Sequence, residues 1–267
     1  MINRYRTAEL KFVFALEESG PSVKGTINSA EVKISHRLST IEPVVAFDLI
    51  VNAMRRLGFE DGFIMGRKKA SSAQVRCKVV KDGKWGALET DDFYFQYGVA
   101  GAYNHGFVLI REKMAGVISD WDEISSAFCQ LNGFVQGWMS DVEYNYWQNA
   151  KDLMLYELDG KDFSHLPLKS NGLPPPLEES EVDISQNPGR SILKEGYVES
   201  VGSVMWLSDL FWERVKSTRD SLAGEAQWLS IEDFCEGVVK IQVKGQEFIS
   251  ERTAEAQNNL RSALYHA

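Results

Sequence analysis

Leu10-Lys11-Phe12-Val13-Phe14-Ala15-Leu16 is the stretch on which the fold class turns. Large apolar side chains at 10, 12, 14 and 16 alternate with Lys11, Val13 and Ala15. A period of two suits a strand with one face in a core. Beyond it, Val32 and Ile34 suggest another short strand. Phe47, Ile50, Val51, Met54 and Leu57 then share one face at helical spacing, which predicts a helix over about 42–57. Pro43 suits its first turn and Gly58 its stop.

The alternation returns further along. Val75, Cys77 and Val79 lead into Lys81-Asp82-Gly83-Lys84, and an Asp-Gly pair favours a hairpin turn. Cys77 would point inward on that strand. Phe93–Tyr97 and Phe107–Ile110 read as strands, with His105 in the turn between them. A helix over 121–131 places Trp121, Ile124, Phe128 and Leu131 together, with capping-box spacing at Asp120 and Glu123. Phe134–Met139 looks extended. Ser140 and Glu143 then predict a capping box for a helix with Val142, Tyr146, Ala150 and Leu153 inward.

Nearer the C-terminus, Tyr197–Leu207 is β-rich. Phe211 and Val215 suggest a short helix, Val239, Ile241 and Val243 a strand, and 248–265 a final helix with Ile249, Ala256, Leu260 and Leu264 inward. Strands in antiparallel-looking groups between helices give an α+β class: a mixed, largely antiparallel sheet or sheets with packed helices. No internal repeat is visible.

Five of the seven prolines fall at 167, 174, 175, 176 and 188. With the surrounding Gly, Ser and Asn they mark an extended connector, stiff at Pro174-Pro175-Pro176 as polyproline II. The expected organisation is a front half at 1–158, a Pro-rich acidic connector at 159–190 and a back half at 191–267, packed as one unit. Charge divides at the same place. The chain of 267 residues carries a net −9, of which residues 1–156 hold −1 and 157–267 hold −8.

This acidity excludes a simple nucleic-acid binder, which needs a positive footprint. Hydrophobic content of 44%, charged content of 25% and seven Trp indicate an ordered globular protein. There is no signal-peptide pattern and no membrane-spanning run. Three scattered cysteines, Cys77, Cys129 and Cys235, suit buried reduced thiols and a cytoplasmic setting. No phosphate-loop, dinucleotide, zinc-protease or nucleophile-elbow motif is present. No cofactor, metal site or catalytic residue is expected. The carboxylates at Asp120 and Glu123 are better explained by helix capping than by acid–base work.

Two charged runs stand out. Glu178-Glu179-Ser180-Glu181-Val182-Asp183 holds four acids and no base, and suits either a solvated connector or a steering patch for a basic partner. Arg67, Lys68, Lys69, Arg76, Lys78, Lys81 and Lys84 form a basic zone opposed in sequence only by Asp82, as expected of a solvated hairpin edge. Trp147 is a candidate interface anchor. The candidate partner-binding residues are therefore Glu178, Glu179, Glu181, Asp183 and Trp147.

Tyr144-Asn145-Tyr146-Trp147-Gln148-Asn149 resembles a mid-chain Trp-Gln-Asn motif of the immunity protein 52 family. Asn187-Pro188-Gly189-Arg190, Glu195–Gly202, Met205-Trp206-Leu207 and Phe211-Trp212 resemble its later motif. Pro188-Gly189 suits a type II turn with Gly supplying positive φ. Trp206 and Trp212 would pack. These bacterial immunity proteins accompany polymorphic toxins, often delivered by type VI secretion, and the usual toxin is a nuclease of restriction-endonuclease-like fold. The resemblance implies a cytoplasmic antitoxin that neutralises a cognate nuclease toxin by protein–protein contact and is not an enzyme. It touches neither nucleic acid nor membrane. The alternatives are an enzyme of unrecognised hydrolase-like family and an adaptor module of a secretion system.

Overall fold

A computed structural model describes residues 7–18, 23–27, 30–34, 37–65, 68–118, 120–225 and 227–265. The chain opens with β1 (Ala8–Glu18), a hairpin of β2 (Val23–Ile27) and β3 (Ala30–Ile34), and β4 (Arg37–Ser39). Helix α1 (Pro43–Arg56) follows, then β5 (Phe63–Met65), β6 (Lys68–Ala70), α2 (Ser72–Asp82), β7 (Ala87–Glu89), β8 (Phe93–Ala100) and β9 (His105–Glu112). Next come α3 (Trp121–Cys129), β10 (Phe134–Asp141), α4 (Val142–Asn149) and α5 (Leu153–Leu158). Two small hairpins, β11 (Leu168–Ser170) with β12 (Ser180–Val182) and β13 (Ile192–Lys194) with β14 (Tyr197–Glu199), lead to β15 (Val204–Ser208). The chain closes with α6 (Asp209–Val215), β16 (Leu229–Cys235), β17 (Val238–Val243) and α7 (Ala254–Tyr265).

One large sheet organises the α+β fold. Its strands run β16-β17-β15-β10-β1-β9-β8-β7-β5-β6, and β4 also pairs with β1. Every recorded pairing is antiparallel. β1 therefore lies mid-sheet rather than on a surface. Leu10, Phe12 and Phe14 enter one core with α1, α2 and α3, where Phe12 stacks on Phe128 at 4.6 Å. Val13 and Ala15 enter a second core with Trp138, Met205, Phe211, Leu260 and Leu264. The strand expected to be half-buried is thus buried on both faces. Lys11, the polar residue in its run, lies 5.1 Å from the Phe107 ring centroid and 5.6 Å from that of Trp138. Burial pushes its ammonium pKa down.

Several local expectations are corrected. Residues 72–82 form a helix, not a strand, because Ser71 and Gln74 close a reciprocal capping box ahead of it. Val75 and Val79, four apart, share its buried face, so Cys77 is exposed. Gly83 ends the helix in the left-handed region, with φ 60°, instead of turning a hairpin. The basic zone is consequently split between edge strand β6, this helix and Lys84 just past its end, and Arg67 lies outside the described residues. Acids from elsewhere meet the zone: Asp91 pairs with Lys69, and Asp48 accepts from Arg76 Nε at 2.8 Å.

At α3, Asp120 accepts from the Asp122 and Glu123 amides, but the Glu123 carboxylate turns to Arg56 at 2.7 Å instead of completing a capping box. His105 is the buried first residue of β9 rather than part of the turn. The predicted helix at 248–265 begins only after a single 3-10 turn at Glu251–Thr253. Strand β16 was not foreseen, nor were the short strands β4, β5, β6, β7, β11, β12 and β13.

Candidate functional site

Where β10 ends, Asp141 rather than Ser140 caps α4, accepting from the Tyr144 amide at 2.8 Å. The helix stops at Asn149 and a second one starts after Asp152. The inward positions differ from those expected. Gln148 is buried and Tyr146 exposed, whereas Ala150 is buried just beyond the helix end.

Gln148 explains the Trp-Gln-Asn motif. Its Oε1 accepts from the Gly189 amide at 2.9 Å, and its Nε2 donates to Glu251 at 2.6 Å. Asn149 Oδ1 accepts from the Ser191 amide at 2.7 Å. The two motifs that are about 40 residues apart in sequence therefore clasp each other. Gly189 is needed for this approach and not for positive φ: a Cβ there would lie 2.8 Å from Gln148 Cγ. The Asn187–Arg190 turn is closed by the Arg190 amide donating to the Asn187 carbonyl at 3.2 Å. Arg261, 2% exposed, completes the clasp from α7. It donates to the Arg190 carbonyl at 2.6 Å, the Pro188 carbonyl at 3.2 Å and Glu199 Oε1 at 3.1 Å.

The connector is folded onto this assembly. β11 and β12 pair, and the Val182 amide donates to the Lys151 carbonyl at 2.8 Å. Val182 and Ile184 join Ala150 and Tyr156 in a small third core. Pro174–Pro176 do not run as polyproline II, because the chain turns there and the Leu177 amide donates back to the Pro174 carbonyl at 3.0 Å.

Between α4, α5 and the connector opens a cleft of about 1390 Å³. Trp147, Tyr156, Leu166 and Val182 supply its apolar lining. Five carboxylates, Asp141, Glu143, Asp162, Asp183 and Glu251, face it together with Lys161 and His165. The Lys161 ammonium lies 4.5 Å from the Trp147 ring centroid, showing that this wall accommodates a cation over an indole. Asp183 is held below the usual carboxylate range by the Ser185 amide and by Lys169 at 3.1 Å. The Ser164 amide does the same for Asp162. A proton donor at neutral pH needs the opposite shift, so these two groups present standing negative charge. Burial pushes the Tyr144 hydroxyl up to about 12, and it accepts from Gln257 Nε2 at 2.9 Å.

Of the candidate contact residues, Trp147 and Asp183 meet in this cleft. Trp147 is half-buried and packed at 4.9 Å against both Tyr146 and Tyr156, so it is a cleft wall more than a free anchor. Glu181 lies 3.9 Å from Lys151 and from Lys169. Glu178 accepts from Ser170 at 2.9 Å. Glu178 and Glu179 remain exposed beside the hairpin. The acidic run, baseless in sequence, is thus partly neutralised by lysines from neighbouring segments. Glu251 and Asp162 were missed because nothing local links them to residue 147, and Asp141 because the capping-box spacing points to Ser140 as the cap of α4.

Among the described residues, no group of three His, Cys, Asp or Glu is placed to hold a metal ion, and no helix is long and apolar enough to cross a membrane. Cys129 is buried, which pushes its thiol pKa up, and Cys235 is half-buried. Comparison with protein-family models, with curated proteins and with solved structures returned no match.

Proposed function

We propose that this chain is an immunity protein that neutralises a cognate secreted nuclease toxin by protein–protein contact in the cytoplasm. The observation that carries the reading is the cleft. It brings five carboxylates and the Trp147 ring into one open recess. A nuclease surface is built to hold polyanions and is therefore positive. An acidic recess with an aromatic wall suits its Lys and Arg side chains. The resemblance of the Trp-Gln-Asn and Asn-Pro-Gly-Arg segments to the immunity protein 52 family supports the same reading. The clasp gives Gln148, Asn149 and Gly189 a scaffold role, while Trp147 of the same segment faces the cleft, so toxin contact falls to the cleft walls.

The test is co-purification with the product of the adjacent toxin gene at rising salt. A complex that weakens as salt rises is expected. No complex at low salt would sink the proposal. Within it, Asp162→Lys with Asp183→Lys should slow association by about tenfold or more, and Glu178→Lys with Glu179→Lys by less. Equal association rates for wild type and both variants would remove the cleft from the interface.

A further inference from the structure

The large sheet has two ends, and they are finished differently. β6 is three residues long and carries Lys68 and Lys69, a short charged edge that resists pairing. β16, at the other end, is seven residues long and, among the described strands, pairs with β17 alone. Among the described residues, no backbone hydrogen bond joins 229–235 to anything on its outer side. Along that side every second N–H and C=O has no backbone partner among the described residues, the arrangement a further strand would use.

The edge has a marked charge. Residues 219–237 contain five acids and one base. Ser230, Glu232, Asp233 and Glu236 are exposed along or just past the strand. Arg219 pairs with Asp233, while Lys240 from β17 is shared between Asp122 and Glu232. Past the regular run Leu229–Asp233 the register shifts, and a cavity of about 570 Å³ opens there. Asp209, Asp233, Glu236, Arg219 and Trp212 line it.

We infer that β16 is a docking edge for an extended, lysine- or arginine-bearing segment of a partner protein, which adds as a further strand and seats one basic side chain in the adjoining cavity. Main-chain bonds would supply the pairing and the carboxylates its selectivity. A second copy of this chain is a poor occupant, since it would set Glu232, Asp233 and Glu236 against the same three carboxylates. The inference rests on the immunity reading only for the identity of the partner.

The experiment uses the full chain and two eight-residue peptides, one alternating lysine with valine and one alternating glutamate with valine. Hydrogen exchange should slow at amides within 229–235 with the lysine peptide and stay unchanged with the glutamate peptide. Glu232→Lys, Asp233→Lys and Glu236→Lys combined should weaken lysine-peptide binding by about tenfold or more, and thermal melting shows whether that variant folds. Absence of protection at 229–235 with the lysine peptide overturns the inference, and so does equal protection by both peptides. Protection that rises with protein concentration alone would mean self-pairing and would also overturn it. Failure of the toxin to co-purify would instead sink the immunity reading and leave these peptide results standing.

Discussion

His105 heads β9 at 1% exposure, with its Nδ1 3.2 Å from the Tyr103 carbonyl. Burial first, then the nearby Lys11 and Arg214 charges, lower its pKa. An unfolded chain holds this imidazole near pKa 6.5. Between the folded value and 6.5 the unfolded state binds more protons, so this contribution is full above about 6.5 and is lost as pH falls through that window. Urea midpoints measured from about pH 7.5 down to 5 should therefore decline, and His105→Gln should flatten the decline. An identical slope in both proteins would dismiss His105 as its source. Two glycines give a second residue-scale contrast. A Cβ at Gly202 would lie 2.4 Å from the Met139 carbonyl oxygen, while one at Gly189 meets the side chain of Gln148. Backbone cannot move aside as a side chain can. Gly202→Ala should cost about 3 kcal/mol and Gly189→Ala nearer 1 kcal/mol, by urea denaturation.

Among the elements, α7 depends on one buried cation. Arg261 links it to the Arg190 and Pro188 carbonyls and to Glu199, all of which would lose a donor in Arg261→Ala. A loss of about 3–5 kcal/mol is expected in chemical denaturation, and Arg261→Lys should rescue little of it, because an ammonium cannot match the guanidinium fork. A loss under 1 kcal/mol would show that α7 is held by its other contacts, Leu260, Leu264, Gln257 and Tyr265, without Arg261. Helix α2 shows why its local reading failed. Val75, Cys77 and Val79 fit a period of two, but Val75 and Val79 equally fit a period near four. Ser71 and Gln74 supply the deciding cap, and Gly83 the stop. At that left-handed position Gly83→Ala should cost about 1 kcal/mol.

At the scale of the molecule, the sheet crosses the connector. β10 pairs with β1 on one side and β15 on the other. Val13, Ala15, Val135 and Trp138 are covered by residues from 198 onward. A fragment ending at residue 172 should therefore lack cooperative unfolding. Co-expression with 173–267 should restore it, with the break falling in the exposed 172–179 loop. Circular dichroism melts of each piece and of the pair decide this. A sharp transition in either piece alone would show separable domains.

Several of the longer strands and helices were legible because local period and capping are properties of neighbouring residues. That holds for β8, β9, β10, β17, α1 and α3. The sequence by itself also determined the acidity of residues 157–267, the α+β class, and the pairing potential of the Leu10–Leu16 run. Only the tertiary structure decided that β1 is covered on both faces, since a strand's own pattern cannot show whether a second layer exists. It likewise decided that the acidic run meets Lys151 and Lys169, and that Trp147 shares a cleft with Asp183 and Glu251. Such juxtapositions join residues up to about a hundred positions apart. They follow from sheet order and helix packing, which no local pattern records.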